Sequence, residues 1–301
     1  MEILAPKEWY SVLEVLEKEK GVAILLGATD TGKSTLAKFL ILNLCKRSLK
    51  VALVDADIGQ SFLGPPTTIG LAVFKSYPDW EIVLSSPEIF FVGSTTPEGN
   101  FPLHLKGVKR MVDKASSYGA EFILVDTTGF ILGEGGKELK RRKIDLISPH
   151  FILALQKSDE IEHVLGLYKE NSLCKIHRFH LSEGVRPRSM EERRANRANK
   201  FRDYFKHSVT RELPIEEIQI EGEFLGPNGD ALPLDGSLRI NGLLIGLKGS
   251  KDETLALGII ENFKEEGKRL TVSTPLQEIK KVKAIQLSSL KFGPSYEEVR
   301  F

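Results

Sequence analysis

The chain has 301 residues, of which 41% are hydrophobic and 28% charged, with a formal net charge of +1. That length supports a large α/β domain plus a smaller one, and the composition excludes both a disordered chain and a polycation. Any affinity for nucleic acid must therefore come from a local patch.

Taken in chain order, Trp9, Val12, Leu13 and Leu16 recur at helical spacing and predict a short amphipathic helix over 8–19. Residues 21–26 form a continuous apolar run suited to a buried parallel strand. A helical pattern follows to about residue 47, and 51–55 reads as a second buried strand. Residues 82–84 and 89–92 are strand-like, 101–118 reads as a helix, and 122–126 and 151–155 complete the set. This alternation predicts an α/β fold with a P-loop NTPase core: a mostly parallel sheet covered by helices on both faces. From about 206 long helical periodicity disappears and Gly, Pro and Asn break short strand-like runs, at 226–229, 235–236 and 241–242. The expected division is a domain over 1–205, including a basic helix at about 186–205, and a small β-rich C-terminal domain over 206–301. No apolar run approaches the roughly 20 residues that span a bilayer, and no basic-then-apolar leader opens the chain, so a soluble cytoplasmic protein is expected. Cys45 and Cys174 match no metal spacing and read as reduced structural thiols.

The strongest chemical signal is residues 27–34, Gly-Ala-Thr-Asp-Thr-Gly-Lys-Ser, which match GxxxxGK[ST] between a buried strand and a helix. Glycines let the backbone wrap phosphates, and the N–H groups at the helix start attract negative charge. Gly27, Thr29, Asp30, Thr31, Gly32, Lys33, Ser34 and Thr35 are the expected nucleotide-binding residues. Lys33 is expected to reach the β- and γ-phosphates, and the Ser34 hydroxyl to ligate Mg²⁺. Two further carboxylate tips end apolar strands, at Asp55-Ala56-Asp57 and at Asp126. Either would stand near the metal or an attacking hydroxyl, because ligands of such sheets bind at the carboxyl ends of strands. A turn or N-cap aspartate is the plainer use of each.

Further motifs follow in order. Asp57-Ile58-Gly59-Gln60 is a DxGQ segment, and 93–100 contain Ser94-Thr95-Thr96-Pro97 and Asn100. Thr127-Thr128-Gly129-Phe130 follows Asp126, with Gly133, Gly135 and Gly136 expected to make a mobile loop beyond it. Arg193 and Arg197 are four apart and share one face of a helix. Over 188–206, Arg188, Arg193, Arg194, Arg197, Lys200, Arg202 and Lys206 outnumber Glu191, Glu192 and Asp203. A solvated helix face, turn formers around Pro97 and a core position for Phe130 are the plainer uses of these residues.

With these motifs in this order, from about residue 20 to 205, the chain resembles the polynucleotide 5′-hydroxyl kinases that include the pre-mRNA cleavage-complex kinase and the nucleolar ribosomal-RNA-processing kinase. The resemblance implies ATP, or another nucleoside triphosphate, as donor, with Mg²⁺, and a nucleic acid carrying a free 5′-OH as acceptor. It implies catalytic roles for Lys33, Asp57, Arg193 and Arg197, with Asp57 as base, and metal contacts from Ser34 and Asp57; Asp126 stands where some relatives have an uncharged residue and is expected to add a contact in the outer shell of the metal. It implies acceptor contacts from Gln60, Thr95, Thr96, Asn100, Phe130 and Arg188. Thr95, Thr96 and Asn100 would hold the first phosphodiester, and Phe130 would stack on the terminal base where the family commonly has Trp. A regulatory GTPase is a competing reading: residues 126–129 fit a DxxG switch, but Gln156-Lys157-Ser158-Asp159 spoils the guanine-reading NKxD with Gln for Asn. A non-catalytic ATP-binding scaffold is disfavoured by the presence of Lys33, Ser34, Asp57 and both arginines.

Overall fold

In a computed structural model of the chain the described residues are 5–75, 87–172, 174–181, 187–222, 224–225, 231–232, 240–264 and 268–299. The strand expected at 82–84 and the turns expected at 226–229 and 235–236 lie outside them. The chain forms two compact units: Met1–Gly64, Ile69–Glu88 and Pro97–Arg188 make the first, and Pro65–Thr68, Ile89–Thr96 and Ser189–Phe301 the second. The basic helix thus groups with the second unit, whereas its sequence pattern placed it with the first.

In the first unit the strands are β1 (Gly21–Leu26), β2 (Val51–Ala56), β3 (Thr68–Phe74), β5 (Phe122–Thr127), β6 (Phe151–Gln156) and β7 (Lys175–His180). β4 (Glu88–Phe91) leads into the second unit. The order runs β3-β2-β5-β1-β6-β7. Every pairing from β2 to β7 is parallel, and β3 joins β2 antiparallel. β2, β5 and β6 are buried at all positions, as strands covered on both faces must be. The helices are α1 (Lys7–Glu19), α2 (Lys33–Lys46), α3 (Phe101–Ser117), α4 (Gly133–Ile147) and the single turn α5 (Glu162–Leu165). α1 buries Trp9, Val12, Leu13 and Leu16, the stripe its spacing announced, and the Trp9 ring lies 5.4 Å from that of Phe39 on α2. Both cysteines are free and buried.

The glycine-rich stretch after Phe130 is not a mobile loop. Gly133–Ile147 is helix α4, and its first turn packs so closely that a Cβ on Gly136 would stand 2.5 Å from the Ile131 carbonyl carbon. The glycine serves close approach of backbone to backbone.

The second unit carries helix α6 (Met190–Phe205), opened by a capping box in which Glu192 N donates to Ser189 Oγ and Ser189 N to Glu192. Its sheet runs β16-β15-β12-β13-β14-β8, with β9 beside β15, from β8 (Val209–Pro214), β9 (Gln219–Glu221), β12 (Leu243–Lys248), β13 (Thr254–Lys264), β14 (Arg269–Thr274), β15 (Ala284–Phe292) and β16 (Glu298–Val299). A short ribbon, β10 (Phe224–Leu225) with β11 (Ala231–Leu232), stands apart from that order. Phe201 and Phe205 of α6 pack with Phe91, Leu244, Leu257 and Phe292, which joins the helix to this sheet. Among the described residues no helix is long and apolar enough to cross a membrane.

Gly136→Ala tests the close approach. Helix propensity alone would stabilise the variant by about 1 kcal/mol. The backbone of Ile131 cannot yield as a side chain can, so overpacking should win and cost about 1–3 kcal/mol, read as a lower urea midpoint at unchanged m-value.

Candidate functional site

Strand register sets the carboxylates. β2 and β5 align Asp55 with Asp126, side by side at the carboxyl edge, and β1, the other neighbour of β5, delivers the phosphate loop there. The loop closes on itself: Thr31 Oγ1 donates to Ala28 O at 2.9 Å. Lys33 Nζ donates to Gly27 O at 3.1 Å and Ala28 O at 2.6 Å. Ser34, on the first turn of α2 beside the exposed Thr35, donates through Oγ to Asp126 Oδ2 at 2.7 Å. Asp30 takes a left-handed φ of 58°, and its carboxylate receives Arg188 three ways: the backbone N at 2.9 Å, Nε at 3.0 Å and Nη2 at 2.9 Å. Arg188 Nη1 also lies 3.4 Å from Gln60 Oε1.

Asp55 organises the next loop from below. Its Oδ2 accepts from Leu63 N at 2.8 Å, Ser61 Oγ at 3.1 Å and Phe62 N, while Oδ1 accepts from Asp57 N at 3.1 Å. Asp57 then repeats the device one step outward, its Oδ1 accepting from Gly59 N at 3.1 Å and Gln60 N at 3.0 Å. Asp55 is the structural carboxylate of the pair, and Asp57 is the half-buried one that water and a ligand can reach.

Burial dominates the electrostatics. It pushes the Asp55 carboxyl up to about 7, with Asp126 adding to the shift. It raises Asp126 as well, against the opposing pull of Lys33 and the Ser34 bond. Burial lowers Lys33, opposed by the negative charges of Asp126, Asp57 and Asp30.

Two lysines that sequence reading passed over belong to this neighbourhood. Lys140 and Lys143 of α4 are fully buried. Lys140 Nζ donates to Thr128 O at 2.5 Å, Thr127 Oγ1 at 3.0 Å and Thr128 Oγ1 at 3.3 Å, so it props the segment that follows Asp126. Burial pushes Lys143 down to about 7, with Asp57 and Asp126 acting the other way. The signal was present in the sequence: α4 buries positions 136, 139, 140, 143, 144 and 147, and two lysines occupy a stripe where apolar residues belong. His104 of α3 is also fully buried, with Nε2 3.1 Å from Ala56 O at the end of β2.

The expected acceptor residues are distributed over both units. In the first, Gly129 lies against the phosphate loop, where a Cβ would stand 2.4 Å from Thr29 N. Phe130 is half-buried, edge-on to Phe101 at a ring separation of 6.4 Å. Asn100 precedes α3 and turns its amide back to Glu98 O at 3.2 Å. In the second unit Thr96 sits in a turn closed by Ser94, which accepts from Thr96 N at 3.1 Å and donates to Thr96 O at 2.8 Å, and Thr95 lies between them. Arg193 is half-buried on α6, and Arg197 there is held bidentately by Glu298.

Comparison with known proteins adds the following. The family model for the mRNA cleavage and polyadenylation factor CLP1 P-loop matches residues 27–207. A polyribonucleotide 5′-hydroxyl-kinase of Pyrococcus furiosus is 29% identical, with 96% of this chain and 93% of that protein covered. One of Methanocaldococcus jannaschii is 30% identical over 92% of this chain and 88% of its own. Among solved structures, Clp1p in a Clp1p–Pcf11p complex superposes with a TM-score of 0.72 at 16% identity, covering 95% of this chain and 79% of that one, which bears on the fold.

Asp55→Asn tests the lower carboxylate. An amide keeps one acceptor oxygen and turns an NH₂ group toward buried N–H donors, so unfolding free energy should fall by about 1–3 kcal/mol in equilibrium denaturation.

Proposed function

This chain belongs to the CLP1 P-loop family, and from that premise we propose that it is an ATP-dependent kinase that phosphorylates the 5′-hydroxyl end of RNA. The observation that carries the reading is the Ser34–Asp126 hydrogen bond at 2.7 Å beside Lys33, with Asp57 at the same strand edge.

The chemistry follows from those positions. Residues 27–35 wrap the triphosphate with backbone N–H groups, and Lys33, now bonded to loop carbonyls, exchanges them for β- and γ-phosphate oxygens. The donors Ser34, Asp126 and Asp57 are hard oxygens, and two carboxylates with a hydroxyl suit Mg²⁺, which takes few protein ligands and completes its shell with phosphates and water. When bound, Mg²⁺ offsets charge on the β- and γ-oxygens. Asp57 commits Oδ1 to the turn at 59–60, and Oδ2 is the oxygen proposed to accept the proton of the 5′-hydroxyl. The O5′–Pγ bond forms, the bond from Pγ to the β-bridging oxygen breaks, and ADP leaves with the electron pair. Thr95, Thr96 and Asn100 are proposed as contacts of the first acceptor phosphodiester, Gln60 and Arg188 as further contacts of the nucleic acid, and Phe130 as the residue that stacks on the terminal base whatever its identity.

The decisive experiment mixes the protein, γ-labelled ATP, Mg²⁺ and a 5′-hydroxyl RNA oligonucleotide, with the DNA counterpart in parallel. Label should appear on the RNA, and labelled inorganic phosphate alone would overturn the reading. Lys33→Ala and Asp57→Ala should each lower turnover by about 10³-fold or more with the fold retained by circular dichroism. Arg193→Ala and Arg197→Ala should lower kcat by more than they weaken ATP binding, because a charge contact of that kind strengthens in the transition state.

A further inference from the structure

Fully burying an ammonium costs several kcal/mol unless hydrogen bonds and opposite charge offset it. Of the two buried lysines on α4, Lys140 is accounted for by its three bonds to Thr127 and Thr128. Lys143 is not: its Nζ makes no hydrogen bond among the described residues. The opposite charges that act on it are Asp57 and Asp126. His104, one helix away on α3, has the complementary deficiency. Its Nε2 lies 3.1 Å from the Ala56 carbonyl, which can only accept, so Nε2 carries the hydrogen and Nδ1 presents a lone pair. That Nδ1 is buried and also without a partner among the described residues. After burial itself, Lys143 is the foremost influence on the His104 ring. A buried donor without an acceptor and a buried acceptor without a donor thus share one neighbourhood, and the histidine grips the backbone of the residue immediately before Asp57.

We propose that Lys143 and His104 form a positioning pair for Asp57: the lysine links the histidine lone pair, through a bridging water, to the Asp57 carboxylate, while the histidine fixes the Ala56 carbonyl. The pair holds the end of β2 from behind so that Asp57 meets the acceptor hydroxyl in one orientation. Stability does not explain the lysine, because an apolar side chain of similar length would fill the same place without a desolvation penalty. The inference rests on the reading of Asp57 as the group that receives the hydroxyl proton.

The test is steady-state kinetics on the full chain, with Mg²⁺-ATP and a 5′-hydroxyl RNA oligonucleotide, for Lys143→Met, His104→Asn and the double variant, with Asp57→Ala alongside. Lys143→Met should lose about 10–100-fold in kcat, the scale of outer-shell support for a reactive group, while both KM values stay within about twofold. Its melting temperature should be unchanged or higher. The double variant should be no slower than the slower single variant, because residues acting in line are non-additive. Wild-type kcat in Lys143→Met, multiplicative losses in the double variant, or a Lys143→Met that melts lower or fails to fold would each overturn the pairing. Asp57→Ala separates the two claims. If it keeps wild-type turnover, the role of Asp57 itself fails; if it is inactive while Lys143→Met is not, only the positioning pair fails.

Discussion

The site depends on one constraint: ionisable groups of both signs sit at the carboxyl edge of the first sheet with almost no water to solvate them. Asp55, Asp126, Lys33, Lys140 and Lys143 are all buried, and burial is the leading cause of every pKa shift among them. In such surroundings no charge is tolerable alone, and each is offset by the others or by backbone dipoles. Asp55 is offset mostly by N–H donors from the loop it holds, and Asp126 by Ser34 and Lys33. Asp55, Asp126, Lys33 and Lys140 are thus compensated by hydrogen-bond partners, whereas Lys143 makes no hydrogen bond among the described residues.

That set exists only in one register of the sheet. Parallel pairing of β2 with β5 puts Asp55 opposite Asp126, and the flanking pairs are Val54 with Val125 and Ala56 with Thr127. A slip of one residue would place a carboxylate against an apolar partner and turn the alternate set of side chains to each face. The apolar runs 51–54 and 122–125 both end at these aspartates, so a slip would leave one carboxylate facing the end of the other run. The hydrophobic effect, which has no direction of its own, thereby fixes an electrostatic geometry to within a hydrogen bond.

Much of this was legible before the structure. Uninterrupted apolar runs named β1, β2, β5 and β6 because a strand covered on both faces has no alternation to disguise it, and the phosphate loop was unmistakable between two of its expected flanks. β7 escaped notice because it is an edge strand, Lys175–His180, whose polar side chains face outward and leave no run to see. β3 carries an apolar run, but a strand that pairs antiparallel with β2 breaks the strand–helix alternation on which the reading relied. Lys140 and Lys143 were hidden for a different reason. Composition treats a lysine as a surface residue, and only the helical phase of α4, obscured by three glycines in its first turn, shows that these two point inward. The likeness to polynucleotide kinases was legible because it rests on short motifs at strand ends, where backbone geometry restricts the residue types allowed.

Glycines also join the segment after Asp126 to the phosphate loop. Gly129 has its Cα where a Cβ would collide with the Thr29 backbone, and Gly136 closes against Ile131 in the same manner. Between them Lys140 ties α4 back to Thr127 and Thr128 with three hydrogen bonds. From Asp126 to Lys140 the chain is folded onto itself and onto the phosphate loop with no slack. A group that moved Phe130 would therefore press on Thr29 directly, through backbone rather than through rotatable side chains. Loops usually trade precision for mobility, whereas this segment gains its precision from contacts too close for any side chain. The consequence is geometric: Phe130, proposed to stack on a base, and the phosphate loop are referenced to the same few backbone atoms by packing alone.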